Sequence, residues 1–348
     1  MIMKINGFTL SFRRDVRRTE RPFYINFIVL FALFVSFSCK QEPKTTKLSG
    51  QVFGTSYHVI YDGDANYETE FDSLFYAINK SMSTYLQNSD ISKLNRNEAI
   101  EVDAHFINVF KTSKIIYKVT NGAFDPTIGA VVNAWDFGPE GKIVSLDSTS
   151  IDSLMQSVGL DKVKLRGNTI LKEKLGTFLD FNAIAKGYAV DVIAKFLESQ
   201  KIHDYLVEIG GEIRSKGINK EKGIPWTIGI DKPNFDGSQS IMKTIHLDDE
   251  AMATSGTYRK FKIDDKGNRY AHIIDTKTGY PSKTNVLSIS VIANDCMTAD
   301  AYATAFQAMG IEKVTELLET HPELKVFFIF EDDDNKLQTL ALNGFPEN

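Results

Sequence analysis

The chain has 348 residues, 43% of them hydrophobic and 24% charged, with a formal net charge of −5 and two cysteines. Residues 1–39 carry six basic and two acidic side chains, so the remainder keeps 34 basic and 43 acidic residues, a net of −9. That balance excludes a general attraction for nucleic-acid phosphates, so a phosphate-bearing ligand must be held locally, most simply through a metal ion. Beyond the leader only Cys296 remains, which excludes an intramolecular disulfide there.

The first 39 residues read as a targeting segment. Arg13, Arg14, Arg17, Arg18 and Arg21 precede an apolar run from Phe23 to Phe37, which meets Ser38-Cys39. A basic region, a short apolar core and small residues at its end describe a secretory signal. The run is short for a comfortable membrane span, and an uncleaved anchor is the alternative. Cys39, followed by the polar stretch 40–47, resembles the lipid-modified cysteine of a bacterial lipoprotein signal. Ser36 and Phe37 depart from the usual lipobox, and a secreted form without lipid is the next reading.

Residues 51–61 alternate well enough for a first strand. Phe71, Leu74, Phe75, Ile78 and Met82 are spaced by three and four and predict an amphipathic helix. Phe106, Val109, Phe110 and Ile116 predict a second helix, ended by Asn121-Gly122. The stretch 131–148, with Gly138-Pro139-Glu140-Gly141, reads as an exposed loop. A short helix over 150–158 is closed by Gly159, and a stronger one runs from about Ala185 to Gln200. The texture then becomes β, with strands expected at 205–209, 226–230, 241–247, 270–274 and 286–293. A helix over 297–306, another near 311–320 and a last strand at 325–330 complete the chain. Without a strict βαβ rhythm, the mixture predicts an α+β fold, and roughly 300 residues suffice for one large core or two joined lobes.

Five segments place Gly, Asp, Thr or His where chemistry could use them. Read as a helix, Met297–Phe306 puts Asp300 and Thr304 on one face, about one turn apart. Hard oxygens of that kind suit Mg²⁺, although Thr304 bonding back to the Ala301 or Asp300 carbonyl within an Ala-rich core helix fits as well. In Gly122-Ala123-Phe124-Asp125-Pro126-Thr127-Ile128-Gly129, Asp before Pro sets a carboxylate on a rigid turn after a helix. Leu179–Asp191 brings Asp180, Asn182 or Ala183 near a helix N-terminus, a place suited to phosphate, with Lys186 close by; a capped helix with a surface lysine is the plain reading. Glu208-Ile209-Gly210-Gly211-Glu212 implies either a hairpin turn or a close backbone approach. After Ala253-Thr254-Ser255-Gly256, His272 precedes the strong turn Asp275-Thr276-Lys277-Thr278-Gly279 and is placed to carry a proton or to serve structure alone.

Taken together, AFDPTIG, LDFNAIAKGYAVD, EIGGEI, ATSG, HIIDTKTGYP and TADAYATAF occur in one order, and the series resembles the ApbE family of FAD:protein FMN transferases from about residue 50 to 330. Phe53-Gly54-Thr55 and Met82-Ser83-Thr84-Tyr85 look like the family's N-terminal motifs. The resemblance implies a T-fold-type mixed sheet-and-helix core, one compact unit of two joined lobes. It divides the chain into a leader (1–39, with lipidation at Cys39), a polar tether (40–49) and a flavin transferase domain (50–345). It implies a periplasm-facing, membrane-anchored bacterial lipoprotein that splits FAD and moves FMN to a Thr or Ser hydroxyl of another protein, releasing AMP. Its acceptors would be proteins with FMN-binding domains or subunits of membrane redox complexes.

Carried over residue by residue, the resemblance implies a Mg²⁺ site of Asp300, Thr304 and the backbone oxygen of Ala183. Some relatives have Thr at the Ala183 position and Asp at the Ala303 position, and this chain has neither. The flavin-binding set becomes Phe53, Tyr85, Ala123, Phe124, Asp125, Asp180, Lys186 and Ile274, with Lys186 standing where some relatives carry Glu. Asp300 and His272 become the catalytic residues, the histidine or a carboxylate near the metal taking the hydroxyl proton. An FAD pyrophosphatase yielding free FMN and AMP uses the same residues; a flavin-binding lipoprotein without turnover would not need the Asp300/Thr304 pair.

Overall fold

The computed structural model describes residues 44–347, apart from 142, 144, 145, 259, 260 and 264–268. The expected leader, Cys39 and most of the polar tether lie outside these described residues.

The first hydrophobic stretch folds back on itself. Strands β1 (Thr45–Val52) and β2 (Thr55–Asp62) form a hairpin, where the sequence suggested one strand over 51–61. Its two-residue turn holds Phe53 at φ 51° and Gly54 at φ 76°. Positive φ at both positions matches the right-handed twist of the paired strands, but Phe in place of the usual Asn or Asp gives no turn signal. A second hairpin, β3 (Val163–Arg166) and β4 (Thr169–Lys172), lies apart from the main sheet.

Strands β5 (Tyr205–Ile209) and β6 (Glu212–Lys216) are followed by β7 (Ile218–Asn219), β8 (Ile224–Asp231), β9 (Ile241–Leu247) and β10 (Ala251–Gly256). Then come β11 (Phe261–Ile263), β12 (Arg269–Ala271), β13 (Val286–Ala293), β14 (Lys325–Glu331) and β15 (Leu337–Leu342). The main sheet has the order β1-β2-β5-β6-β10-β13-β14-β15, with every neighbouring pair antiparallel. The strands expected at 205–209, 226–230, 241–247, 286–293 and 325–330 are all present. The strand expected at 270–274 stops at Ala271, and β3, β4, β6, β7, β10, β11 and β15, none longer than six residues, were too short for periodicity to single out.

Helices α1 (Glu68–Met82), α2 (Asp90–Asn95), α3 (Ala104–Val119), α4 (Gly129–Ala134), α5 (Ser148–Met155), α6 (Ala185–Ser199) and α7 (Cys296–Leu318) complete the fold. Side-chain oxygens cap several of them: Asp103 Oδ1 accepts from Phe106 N at 2.9 Å and Asp295 Oδ1 from Thr298 N at 2.8 Å. The two helices expected at 297–306 and 311–320 are joined in α7 across Gly310, whose φ of 78° breaks the helical path. The loop expected at 131–148 begins later, because α4 occupies its start and buries Val131 and Ala134.

The main sheet is covered on both faces. Val326 and Phe328 of β14 join the large core under the helices, while Phe327 and Ile329 join a second core against Ile228, Ile230, Ile245 and Leu247 of β8 and β9. Two-sided burial explains why β13 and β14 read as continuous apolar runs rather than alternating ones. The result is the α+β mixture expected from the sequence, and the described residues form one compact unit. The helical face matters for chemistry, because α6 and α7 meet there with their N-terminal turns side by side.

Candidate active site

A cavity of about 1000 Å³ reaches from the β1–β2 turn to the N-terminal half of α7, with Gly229, Ile230 and Asp231 of β8 also in its wall. All twelve site residues expected between Phe53 and Thr304 line it: Phe53 and Tyr85; Ala123, Phe124 and Asp125; Asp180, Ala183 and Lys186; His272 and Ile274; Asp300 and Thr304. Segments as much as 250 positions apart in sequence are thus gathered by the fold, roughly what a dinucleotide-sized ligand requires.

One end of the cavity is polar and deep. Asp300, only 6% exposed, accepts a hydrogen bond at Oδ2 from the Gly187 amide at 3.0 Å. In an uninterrupted helix that amide would bond the Ala183 carbonyl four residues back. Its diversion leaves the Ala183 oxygen without a backbone donor among the described residues. A side chain at Gly187 is excluded by contact: a Cβ there would press into the Cys296 carbonyl and come to 2.8 Å from Asp300 Cβ. Thr304 lies one turn beyond Asp300 on the same helix face.

A buried carboxylate, a hydroxyl and an uncommitted carbonyl at one end of a cavity are hard oxygen donors, and they fit Mg²⁺. Among the described residues no group of three His, Cys, Asp or Glu side chains gathers as an all-side-chain metal cluster. Such a site therefore relies on backbone, water and ligand oxygens. Ala303 packs into the core at 1% exposure.

Beside Asp300, the expected Lys186 pairs with Glu212, a residue that the sequence did not single out for the site. Lys186 Nζ lies 2.5 Å from Glu212 Oε2, with the lysine side chain 31% exposed and the glutamate 4%. Burial pushes the Glu212 carboxyl up to about 7; Lys186 pulls it back and Asp300 pushes it further. Burial likewise raises Asp300, opposed by Lys186 and the Gly187 amide. Burial alone would lower the Lys186 ammonium, but the two carboxylates outweigh it and hold the ammonium above its usual range. The signal for Glu212 was present in EIGGEI. A two-residue turn at Gly210-Gly211, with φ of 63° and 102°, pairs Ile209 with Glu212 and so turns both toward the core.

Glu208 points the other way along β5 and fixes that turn. Its Oε1 accepts from Gly211 N at 2.6 Å, and its Oε2 lies 2.7 Å from His58 Nδ1.

The other end of the cavity is aromatic and more open. Phe53 stands edge-on to Phe75, and Tyr85 at the rim is 60% exposed. Asp125 is buried on its Asp-Pro turn, as the sequence suggested, accepting at Oδ1 from Thr127 N at 2.8 Å and Thr127 Oγ1 at 2.6 Å. Thr127 Oγ1 in turn accepts from Gly159 N at 2.7 Å. Asp180 caps its own turn through Asn182 N at 2.8 Å, and its amide donates to the Pro126 carbonyl at 2.8 Å, tying the two ligand-facing loops together. His272 follows β12, half-buried, with its ring 6.2 Å from that of Phe137. The loop after it is the turn expected, Asp275 Oδ1 accepting from Lys277 N and Thr278 N.

Burial pushes the Asp125 carboxyl up to about 6, against the pull of its Thr127 bonds. A raised folded-state value means that ionisation opposes folding, so stability falls as pH rises from 3.8 through about 6. The shift corresponds to about 3 kcal/mol. Asp125→Asn keeps an acceptor for Thr127 and removes the charge. Its melting temperature should therefore exceed that of the parent at pH 7.5, with the gap closing toward pH 4 in calorimetry; a gap independent of pH would refute this account.

A model of the ApbE family matches residues 53–328. The chain belongs to the ApbE family. Among curated ApbE relatives, the FAD:protein FMN transferase of Haemophilus influenzae is 38% identical over 340 residues, covering 93% of this chain and 97% of that protein. The one from Vibrio cholerae is 37% identical over 318 residues, covering 88% and 94%. The solved flavin transferase ApbE from Vibrio cholerae superimposes with a TM-score of 0.78 at 36% identity, over 86% of this chain and 97% of that one. The apo flavinyl transferase ApbE of Pseudomonas stutzeri gives 0.77 at 28% identity, over 86% and 95%.

Proposed function

We propose that this ApbE chain is an FAD:protein FMN transferase that moves FMN onto a Thr or Ser hydroxyl of an acceptor flavoprotein and releases AMP. The observation that carries the reading is the two-ended cavity. An aromatic, partly open end suits an isoalloxazine ring, and a deep end with Asp300, Thr304, the Ala183 carbonyl and Lys186 suits a pyrophosphate. In an acidic protein one lysine, already paired with Glu212, does not balance a pyrophosphate, and the oxygen donors there fit Mg²⁺. When bound, that ion would supply charge neutralisation at the pyrophosphate oxygens.

The chain's own residues do the rest. Phe53 and Tyr85 present ring faces and edges at the wider end, and Asp125 and Asp180 offer acceptors from loops tied to each other. Lys186, held by Glu212, places a point charge at the pyrophosphate end. His272, half-buried on the cavity wall, receives the proton of the acceptor hydroxyl as its oxygen bonds to the FMN phosphorus. The P–O bond to AMP breaks, so the products are a phosphoester-linked flavoprotein and AMP.

Export as a lipoprotein anchored through Cys39, facing the periplasm, completes the proposal. The leader supports it. Mass spectrometry of membrane-extracted protein should find an acylated Cys39 at a new N-terminus; an intact Arg-rich leader would refute cleavage there.

The activity is tested by incubating the purified chain with FAD, Mg²⁺ and an acceptor carrying an FMN-binding domain. Intact mass should show one FMN added to the acceptor, with an equivalent of AMP released and activity lost in EDTA. Free FMN and AMP with unmodified acceptor would replace the transferase by a pyrophosphatase. Unchanged FAD would leave a binding protein.

A further inference from the structure

Asp191 lies outside the cavity, yet its carboxylate is 2% exposed and is saturated by groups that lead directly to it. It projects from α6 and accepts at Oδ1 from Cys296 N at 3.0 Å and at Oδ2 from Met297 N at 2.9 Å. Those are two of the free amides at the start of α7, and the next one, Thr298 N, is taken by Asp295. Arg214 of β6 closes the site from the other side, donating from a terminal guanidinium nitrogen to Asp191 Oδ1 at 2.6 Å.

The same two helices touch again one turn further on. Gly187 and Asp191 are four apart on α6 and share a face, as do Cys296 and Asp300 on α7. While Asp191 holds the first amides of α7, the Gly187 amide holds Asp300 Oδ2 at 3.0 Å. Two polar attachments one turn apart fix both the sliding and the rotation of α7 against α6. Small side chains at Ala299, Ala301, Ala303 and Ala305 interrupt the larger buried Tyr302 and Phe306 along the first turns of α7, and the polar attachments add register to that packing. Buried polar groups set register where apolar surfaces leave it open.

We infer that Asp191, backed by Arg214, is a positioning residue that sets α7 in register with α6 and so fixes Asp300 and Thr304 relative to the Ala183 carbonyl. In its metal-affinity arm the inference rests on the oxygen site proposed above; in its register arm it does not. Residues that orient metal ligands from behind change metal affinity by roughly 10–100-fold when altered.

The test uses the full-length chain in mild detergent, with Mn²⁺ binding followed by electron paramagnetic resonance in the absence of FAD. Amide exchange at Gly187 is followed in the metal-free protein. Asp191→Asn should weaken Mn²⁺ binding at least tenfold and raise Gly187 exchange at least tenfold, although Gly187 keeps its own partner, while FAD binding in EDTA stays within twofold. Arg214→Lys, the gentler variant should Asp191→Asn fail to fold, should weaken Mn²⁺ binding about threefold and raise Gly187 exchange in the same direction. Folded variants with Mn²⁺ affinity and Gly187 exchange within twofold of the parent overturn the inference. Equal losses of FAD and Mn²⁺ binding overturn it too, since they would mean general loosening. Asp300→Asn serves as the control: if it leaves Mn²⁺ binding unchanged, the metal reading has failed, and the register role stands or falls on Gly187 exchange alone.

Discussion

Asp300→Asn lowers FMN transfer by roughly 10²–10³-fold, the scale for losing one preorganised charge-stabilising group, while its metal-free melting temperature at pH 8 is no lower than the parent's. Asparagine keeps the shape of the side chain, and its carbonyl still accepts from the Gly187 amide that meets Asp300 at 3.0 Å. The contact between α6 and α7 therefore survives. What disappears is a negative charge that burial disfavours and Lys186 only partly supports. The sign of the stability effect follows. A carboxyl held above its ordinary value in the folded state makes folding less favourable as pH climbs from that ordinary value, because the unfolded chain ionises more readily. The variant escapes this loss, so its stability relative to the parent should grow from pH 5 to pH 8. Transfer is read by intact mass of the acceptor and by released AMP, stability by calorimetry in EDTA. Turnover within tenfold of the parent would remove Asp300 from the chemistry.

Much of the fold was legible because its signals are local. The strands at 205–209 and 241–247 and the helix near 185–200 are each set by periodicity within one segment, and each lies where expected. The failures have physical causes. Phe53 takes a left-handed conformation without a turn-forming side chain, so the β1–β2 hairpin looked like one strand. Strand β15 has no buried residue, so its hydrophobic signal is weak. The site was legible in a different way. None of its segments was distinctive alone; six together resemble the ApbE family, and that resemblance implied the residues that the fold brings to one cavity. Glu212 and Asp191 lie within two of those segments, EIGGEI and LDFNAIAKGYAVD, yet were given no role there. Their importance lies in cross-strand register and in a helix–helix contact, which exist only once β6, α6 and α7 are assembled.

Lys186→Met should separate stability from catalysis through its dependence on pH. The substitution leaves Glu212, 4% exposed, without the ammonium now 2.5 Å away, and with Asp300 as its charged neighbour. Removing one partner of a buried pair costs about 3 kcal/mol or more when the other stays charged; solvent contact at the lysine, 31% exposed, favours the lower figure. Glu212 has a way out, because its carboxyl already sits at about 7 and losing the lysine removes the influence that lowers it. At pH 6 it is protonated in the variant and the loss of stability is small. As pH rises to 8.5, the carboxyl must either ionise beside Asp300 or keep a proton that the unfolded chain would release, and the deficit in melting temperature widens. Adding Glu212→Gln removes the stranded charge, so the double variant recovers most of the stability at pH 8.5. It does not recover turnover, because the point charge that Lys186 is proposed to place at the pyrophosphate end is still missing. A deficit equal at pH 6 and 8.5, or a double variant as unstable as the single, would show that Lys186 supports the fold through its aliphatic stem rather than through its charge.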